Sequence, residues 1–178
     1  MIILINGNQP RCGKDLLAKQ FELLGFMHLK FATALHKDVC KVFNIEQPQD
    51  DEKDKTKFEQ YGNVSYRQLL IVHGTTKKHD DLLVWSKKLY EEVVNINAKN
   101  YVVSDWGFPY ELYFLNHKAD HDIITVHVKR PLSSPIPDSR HNLEHLCAYT
   151  LDNSGTRYEY IIKCKELVHE VIKKYGKE

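Results

Sequence analysis

Apolar residues in this chain fall into short continuous runs that alternate with longer helical stripes. Residues 2–5, Ile-Ile-Leu-Ile, form a run that predicts a buried strand. From 14 to 24 apolar side chains recur at 16, 17, 21 and 24, the spacing of one helix face, and Gly25 stands where a C-cap glycine belongs. Residues 26–31 alternate and predict a second strand. Thr33 is placed to cap a helix running to Phe43, with Leu35, Val39, Val42 and Phe43 inward. Ser65 caps a helix carrying Leu69, Leu70, Ile71 and Val72, and Gly74 ends it. Asp80 or Asp81 opens another helix, with Leu82, Leu83, Trp85, Leu89, Val93 and Val94 on its inward side. Residues 101–103 and 123–128 predict two more strands, separated by a helix with Pro109 in its first turn that runs to Asn116. Residues 146–151 predict a fifth strand. A last helix, 158–175, carries Ile161, Ile162, Leu167, Val168, Val171 and Ile172 as its core stripe.

Strands alternating with helices predict an α/β architecture, a mostly parallel sheet covered on both faces. The pattern fits one domain over 1–178, with two interruptions. Residues 46–62 are charged and almost free of apolar side chains, which reads as a mobile solvated loop. Residues 131–137 hold three of the six prolines and open a lid-like loop near 131–145. Open parallel sheets bind ligands beyond the carboxyl ends of their strands, here at Asn6, Asp105, Arg130 and Asp152.

Composition removes several classes. Lys plus Arg number 25 against 24 Asp plus Glu, a net charge of +1, which argues against a protein that coats nucleic acid or an anionic membrane. No apolar run approaches the roughly 18 residues of a membrane span. The first strand lacks a preceding basic region, so it does not read as a secretion signal, and a cytoplasmic setting with reduced thiols is expected. Cys12, Cys40, Cys147 and Cys164 show no metal-binding spacing, and His141 and His145, although spaced i, i+4, have no third ligand.

The sharpest chemical signal is Ile-Leu-Ile-Asn-Gly-Asn-Gln-Pro-Arg-Cys-Gly-Lys-Asp, residues 3–15. It approximates the phosphate-loop pattern of Gly, four residues, Gly-Lys and then Ser or Thr, set between a strand and a helix. Five residues separate Gly7 from Gly13 instead of four, and Asp15 takes the place of the hydroxyl residue. The physics of anion binding is retained. A helix opening at Gly13 presents unpaired backbone N–H groups and the positive end of its dipole. Gly13 allows close approach of a phosphate, Lys14 reaches it as a mobile point charge, and Arg11 adds a second cation. Asp15 offers a hard oxygen to Mg²⁺. Asn8, Gln9, Pro10, Arg11, Cys12, Gly13, Lys14, Asp15 and Leu16 are therefore the expected ATP-binding segment. The alternative is a glycine turn that only joins strand to helix.

The same residues resemble the deoxynucleoside monophosphate kinases of bacteriophages. Pro10-Arg11-Cys12-Gly13-Lys14-Asp15 is close to that group's Pro-Arg-Ser-Gly-Lys-Asp. The similarity continues through Phe31-Ala32 with Leu35 and Lys37, Tyr66-Arg67-Gln68-Leu69-Leu70 with Gly74-Thr75, and Val103-Ser104-Asp105 with Phe108-Pro109 and Glu111. It ends with Asp138-Ser139-Arg140 and with Leu151-Asp152-Asn153 followed by Gly155-Thr156. This resemblance implies a three-layer P-loop fold with a five-stranded parallel sheet of order 2-3-1-4-5. It also implies transfer of the ATP γ-phosphoryl group to a deoxynucleoside monophosphate. Many members carry Arg two residues after the Ser-Asp aspartate, where this chain has Gly107.

Phosphoryl transfer needs positioning and positive charge more than covalent chemistry. Lys14, Arg11, Asp105 and Arg140 are the expected catalytic set, with Arg140 in the lid-like loop. Arg130 at the end of the fourth strand is a further ATP contact, and the resemblance adds Asn153 and Gly155 beside the adenine. Arg67 is expected to grip the acceptor phosphate, the alternative being a surface ion pair. Lys37 reaches that phosphate or stays solvated. Trp106 stacks on a base or packs in the core. Glu111 and Asp138 join the acceptor side through the resemblance. Asp15 and Asp105 are the expected Mg²⁺ contacts, Asp105 alternatively capping the helix that follows. The expected partners are small-molecule nucleotides, with no stable nucleic-acid or membrane association, in a monomer or homodimer. Two other functions fit the pattern: a P-loop kinase of another phosphorylated small molecule, and a nucleotide-binding interaction protein without transfer activity.

Overall fold

In the computed structural model, which describes residues 1–49, 52–131 and 141–176, the Ile2, Ile3, Leu4 and Ile5 side chains are fully buried. A strand that is apolar on both faces needs cover on both, which the centre of a parallel sheet provides. Strand β1 (Ile2–Gly7) lies between β5 (Tyr101–Val103) and β6 (Ile123–Lys129). Strand β2 (Met27–Leu29) flanks β5, and β7 (Tyr149–Asp152) flanks β6, all in parallel pairs. Counted among these five strands in chain order, the arrangement is 2-3-1-4-5, as expected.

By internal contacts the chain divides into two units, Met1–Lys30 with Tyr90–Glu178, and Phe31–Leu89. The first holds the five-stranded sheet. Helices α1 (Lys14–Glu22) and α6 (Arg157–Tyr175) bury Leu17, Phe21, Tyr160, Cys164 and Val168 against Ile3, Ile5, Val102 and Val126. Tyr101 neighbours Val102 and so points to the opposite face, where its hydroxyl donates to the Val93 carbonyl at 2.8 Å. That bond sets the end of α4 (Val84–Ile96) on this face, and Tyr90 meets Phe114 of α5 (Pro109–Lys118) edge-on. Helix α1 closes as Gly25 was expected to close it. Gly25, at φ +85°, donates its N–H to Glu22, and the Phe26 N–H reaches the Phe21 carbonyl at 3.3 Å. The two phenylalanine rings pack 5.1 Å apart across this cap. Leu24, expected inward, is exposed. Thr156 and Glu159 form a capping box at the start of α6.

The second unit packs α2 (Phe31–Phe43) against α3 (Tyr66–Asp80) around Val39, Tyr66, Leu69 and Leu70. A short antiparallel pair joins β3 (Lys57–Phe58), within the segment expected to be loop, to β4 (Val64–Ser65), just after it. The Ser65 cap is present as a capping box with Gln68.

Several local expectations give way to packing. Helix α2 starts at Phe31, so Thr33 is internal, and Val42 is exposed. Gly74 does not end α3, which continues to Asp80. A Cβ at Gly74 would stand 3.2 Å from the Leu35 side chain, so the glycine serves close helix packing. Asp81 turns the chain by accepting the Leu83 N–H, and α4 starts at Val84, leaving Leu82 and Val94 exposed. Residues Glu144–Leu146 form a single 3-10 turn, and the fifth strand begins only at Tyr149. Ile162 lies outside the core stripe of α6, where Tyr160 and Cys164 are buried instead. Among the described residues no helix is long and apolar enough to cross a membrane.

Candidate functional site

The central strand β1 delivers the chain into a turn between Gly7 and α1. Gly7 is required by contact, because a Cβ there would run into the Cys12 sulfur. Gly13 adopts φ +114° and ψ 8°, a conformation that favours glycine, and a Cβ there would lie 2.8 Å from both Asn153 Nδ2 and the Tyr160 ring. Arg11, exposed at the tip of the turn, also takes a positive φ of 61°.

Neighbouring strand ends hold the turn. The Asn8 N–H donates to the Val128 carbonyl at 3.3 Å. The Asn8 amide pairs reciprocally with the Arg130 backbone, Nδ2 to its carbonyl at 3.1 Å and its N–H to Oδ1 at 3.2 Å. Gln9 Nε2 donates to the same carbonyl. On the other side Asn153 Nδ2 donates to the Cys12 carbonyl at 2.8 Å and the Tyr160 hydroxyl to the Gly13 carbonyl at 3.1 Å. Among the described residues, the backbone N–H groups of Gly13, Lys14 and Asp15 meet no acceptor in hydrogen-bond geometry. They are the open donors of a helix N-terminus.

The Lys14 ammonium is folded into the turn rather than extended to solvent. It donates to the Gln9 carbonyl at 3.0 Å and lies 3.4 Å from the Cys12 sulfur, with the residue only 8% exposed. A cation, three open N–H groups and a helix dipole thus converge on one turn, a geometry that binds an anion such as phosphate.

Asp15 carries the only carboxylate in this turn. Its Oδ1 accepts from Ser104 Oγ at 2.8 Å and faces Lys30 Nζ at 2.9 Å. Desolvation pulls the carboxyl pKa upward, but the hydrogen bond and charge of Lys30, with the Ser104 hydroxyl, hold it below the usual value. Ser104 Oγ also meets His28 Nε2 at 2.8 Å, and His28 Nδ1 meets Glu22 Oε1 at 2.8 Å.

Beneath the turn, Asn6 is buried and fully bonded. Nδ2 donates to the Trp106 carbonyl at 3.0 Å and the His141 carbonyl at 3.1 Å. Oδ1 accepts from the Leu143 N–H at 3.0 Å and from His127 Nδ1 at 2.9 Å.

No family model matches the sequence, and no curated protein matches it. Solved structures do share its fold. TT1252 from Thermus thermophilus aligns with a TM-score of 0.56 at 17% identity, over 96% of this chain and 96% of its own. A dephospho-CoA kinase from Campylobacter jejuni aligns at 0.53 and 12% identity, over 96% of each chain. A gluconokinase from Sinorhizobium meliloti 1021 aligns at 0.51 and 12% identity, over 97% of this chain and 93% of its own. The chain has the three-layer α/β P-loop fold.

Within this fold the expected residues divide into three groups. Asn8, Gln9, Pro10, Arg11, Cys12, Gly13, Lys14, Asp15 and Leu16 form the turn and the start of α1, and Arg130 meets it through its backbone. Asp105 is half-buried just beyond β5, next to the Ser104 that binds Asp15. Asn153 approaches the turn by its side-chain amide, and Gly155 lies in the exposed bend before α6.

The acceptor-side residues fare differently. Trp106 is fully buried with its indole N–H on the Phe108 carbonyl at 2.9 Å, so the ring packs in the core and offers no face to a base. Glu111 is buried and its Oε2 accepts from the Gly107 and Phe108 N–H groups, each at 3.0 Å, as the capping box of α5. Lys37 is exposed in the second unit. There Arg67 Nε pairs with Asp54 at 2.5 Å, both side chains more than half exposed. Asp138 and Arg140, with most of the lid-like loop, lie outside the described residues.

Two contributors escaped the sequence reading. Lys30 belongs to no motif, and Ser104 enters only as part of the Val103-Ser104-Asp105 resemblance with no role of its own; the parallel register of Leu29 with Val103 brings the residues that follow those two strands side by side. Magnesium takes few protein ligands and completes its shell with water and phosphate oxygens. Among the described residues no three His, Cys, Asp or Glu side chains converge on one point. Asp15, with Asp105 one residue beyond Ser104, fits the one or two carboxylates such an ion uses.

Proposed function

We propose that the chain binds Mg·ATP at the turn between β1 and α1 and transfers the γ-phosphoryl group to a (deoxy)nucleoside monophosphate, giving the diphosphate and ADP. The observation that carries this reading is the Lys14 ammonium folded inside a turn whose helix-opening N–H groups are unpaired. An ammonium bound to a backbone carbonyl exchanges that acceptor for a phosphate oxygen at little cost in desolvation. Lys14 and Arg11 supply charge to the transferring group, and Asp15 with Asp105 holds the metal ion, which neutralises charge on the phosphates. Arg67 with Lys37 grips the acceptor phosphate, Arg67 first releasing Asp54. The resemblance to phage deoxynucleoside monophosphate kinases supports the acceptor class, and the names of two structural neighbours support a kinase.

A second reading, a kinase of another small phosphorylated molecule, has one observation in its favour. Trp106 and Glu111, both expected to meet the nucleoside, are taken up by core packing and helix capping. Coupled ADP release against a panel of deoxynucleoside and nucleoside monophosphates tests the first reading. Turnover with at least one member is expected. ATP binding without turnover of any member would transfer support to the second reading, or to a binding protein without transfer activity.

A further inference from the structure

The carboxylate at Asp15 raises an electrostatic problem. P-loops place a neutral Ser or Thr hydroxyl here, next to a polyanionic triphosphate. A bare carboxylate in the same place repels that ligand before any metal arrives. The surrounding residues answer the repulsion. Lys30 Nζ and the Ser104 hydroxyl both meet Oδ1, at 2.9 and 2.8 Å. Ser104 has one hydroxyl proton, and it goes to Asp15 Oδ1. His28 Nε2 lies 2.8 Å from the same hydroxyl oxygen, and its Nδ1 lies 2.8 Å from Glu22 Oε1, so Ser104 is flanked by a ring that is itself tied to α1. Lys30 and Ser104 come from adjacent parallel strands and reach the carboxylate from one side.

We infer that Lys30 and Ser104 are positioning residues that turn Asp15 into a charge-compensated, single-oxygen magnesium ligand, a replacement for the missing hydroxyl. Lys30 cancels the charge, Ser104 fixes the carboxylate plane, and Oδ2 is left to the metal or its water. The inference rests on the nucleotide-binding reading above and adds two residues to it.

The test is a double-mutant cycle read by calorimetric ATP titration, with and without magnesium. The four proteins are wild type, Lys30→Met, Asp15→Ser and the double variant, with melting temperature as a folding control. Lys30→Met is expected to weaken magnesium-free ATP binding by about tenfold in the wild-type background, because it uncovers the Asp15 charge. In the Asp15→Ser background the same change is expected to cost less than about twofold. Should Asp15→Ser not fold, Asp15→Asn takes its place in the cycle. Ser104→Ala is expected to lower the enhancement of ATP affinity by magnesium about threefold, with magnesium-free affinity unaltered. Equal losses from Lys30→Met in both backgrounds would overturn the inference, since Lys30 would then act on the nucleotide itself. An unaltered magnesium enhancement in Ser104→Ala would overturn the role of Ser104. These outcomes leave the nucleotide site standing, whereas wild type that binds no ATP defeats that reading and this inference with it.

Discussion

Tyr160, on the last helix, stands against Gly13, which opens the first: its hydroxyl donates to the glycine carbonyl at 3.1 Å and its ring leaves no room for a Cβ. The turn between β1 and α1 is thus braced from a residue nearly the whole chain away.

Gly13→Ala meets both a strained φ and this contact. It should destabilise the protein by about 2 kcal/mol or more, measured by urea unfolding. Tyr160→Phe loses only the hydrogen bond and should cost about 1 kcal/mol. An alanine at position 13 tolerated at no cost would show that the turn does not depend on this packing.

Replacing Lys14 separates binding from folding. Lys14→Met keeps the aliphatic stem and should leave the far-ultraviolet spectrum unchanged. Without the ammonium, ATP affinity or turnover should fall by a factor on the order of 100. Turnover equal to wild type would remove Lys14 from the mechanism.

Asn6 offers a stability test away from the turn. Asn6→Ala strands the Leu143 N–H and the His127 ring N–H, together with two carbonyls, in buried surroundings. The expected loss is about 3 kcal/mol in denaturant unfolding. A loss under about 1 kcal/mol would mean that water replaces these bonds readily.

His127 gives the chain a pH dependence. Nδ1 donates to Asn6, so Nε2 carries the lone pair, buried and without a partner among the described residues. Burial drives the pKa down, Glu144 opposes it, and Lys129 and Lys14 add to the depression. The unfolded chain therefore binds the proton first as pH falls. Unfolding free energy should decrease as pH drops below the ordinary histidine value of 6.5, and level off below the depressed folded value. The slope reaches at most about 1.4 kcal/mol per pH unit. His127→Asn keeps a donor toward Asn6 and cannot titrate, so urea unfolding from pH 7 to 5 should lose that slope. A wild-type slope retained in the variant would assign it to another group.

Features carried by contiguous residues were legible in the sequence. The buried run at β1, the alternation of strands and helices, the Ser65 cap and the Gly25 stop each follow from local periodicity or cap chemistry. The Gly13-Lys14 turn was legible for the same reason, because a strand, a glycine and a helix start define it within a dozen residues. Local signals failed where packing overrode them. Gly74 reads as a helix stop but is a place where Leu35 comes close. Of the two readings of Trp106 the packed one is found, and Glu111, placed on the acceptor side through the resemblance, caps α5.

What only the tertiary structure decided is who faces whom. Ser104 reaches Asp15 across 89 positions, Asn6 reaches His127 across 121, and Asn153 reaches Cys12 across 141. No period or motif encodes such pairs, because they arise from strand order and register in a parallel sheet. The sequence alone therefore determined that a glycine-lysine turn forms between the first strand and the first helix, and the fold decided which side chains brace it and which pair with Asp15.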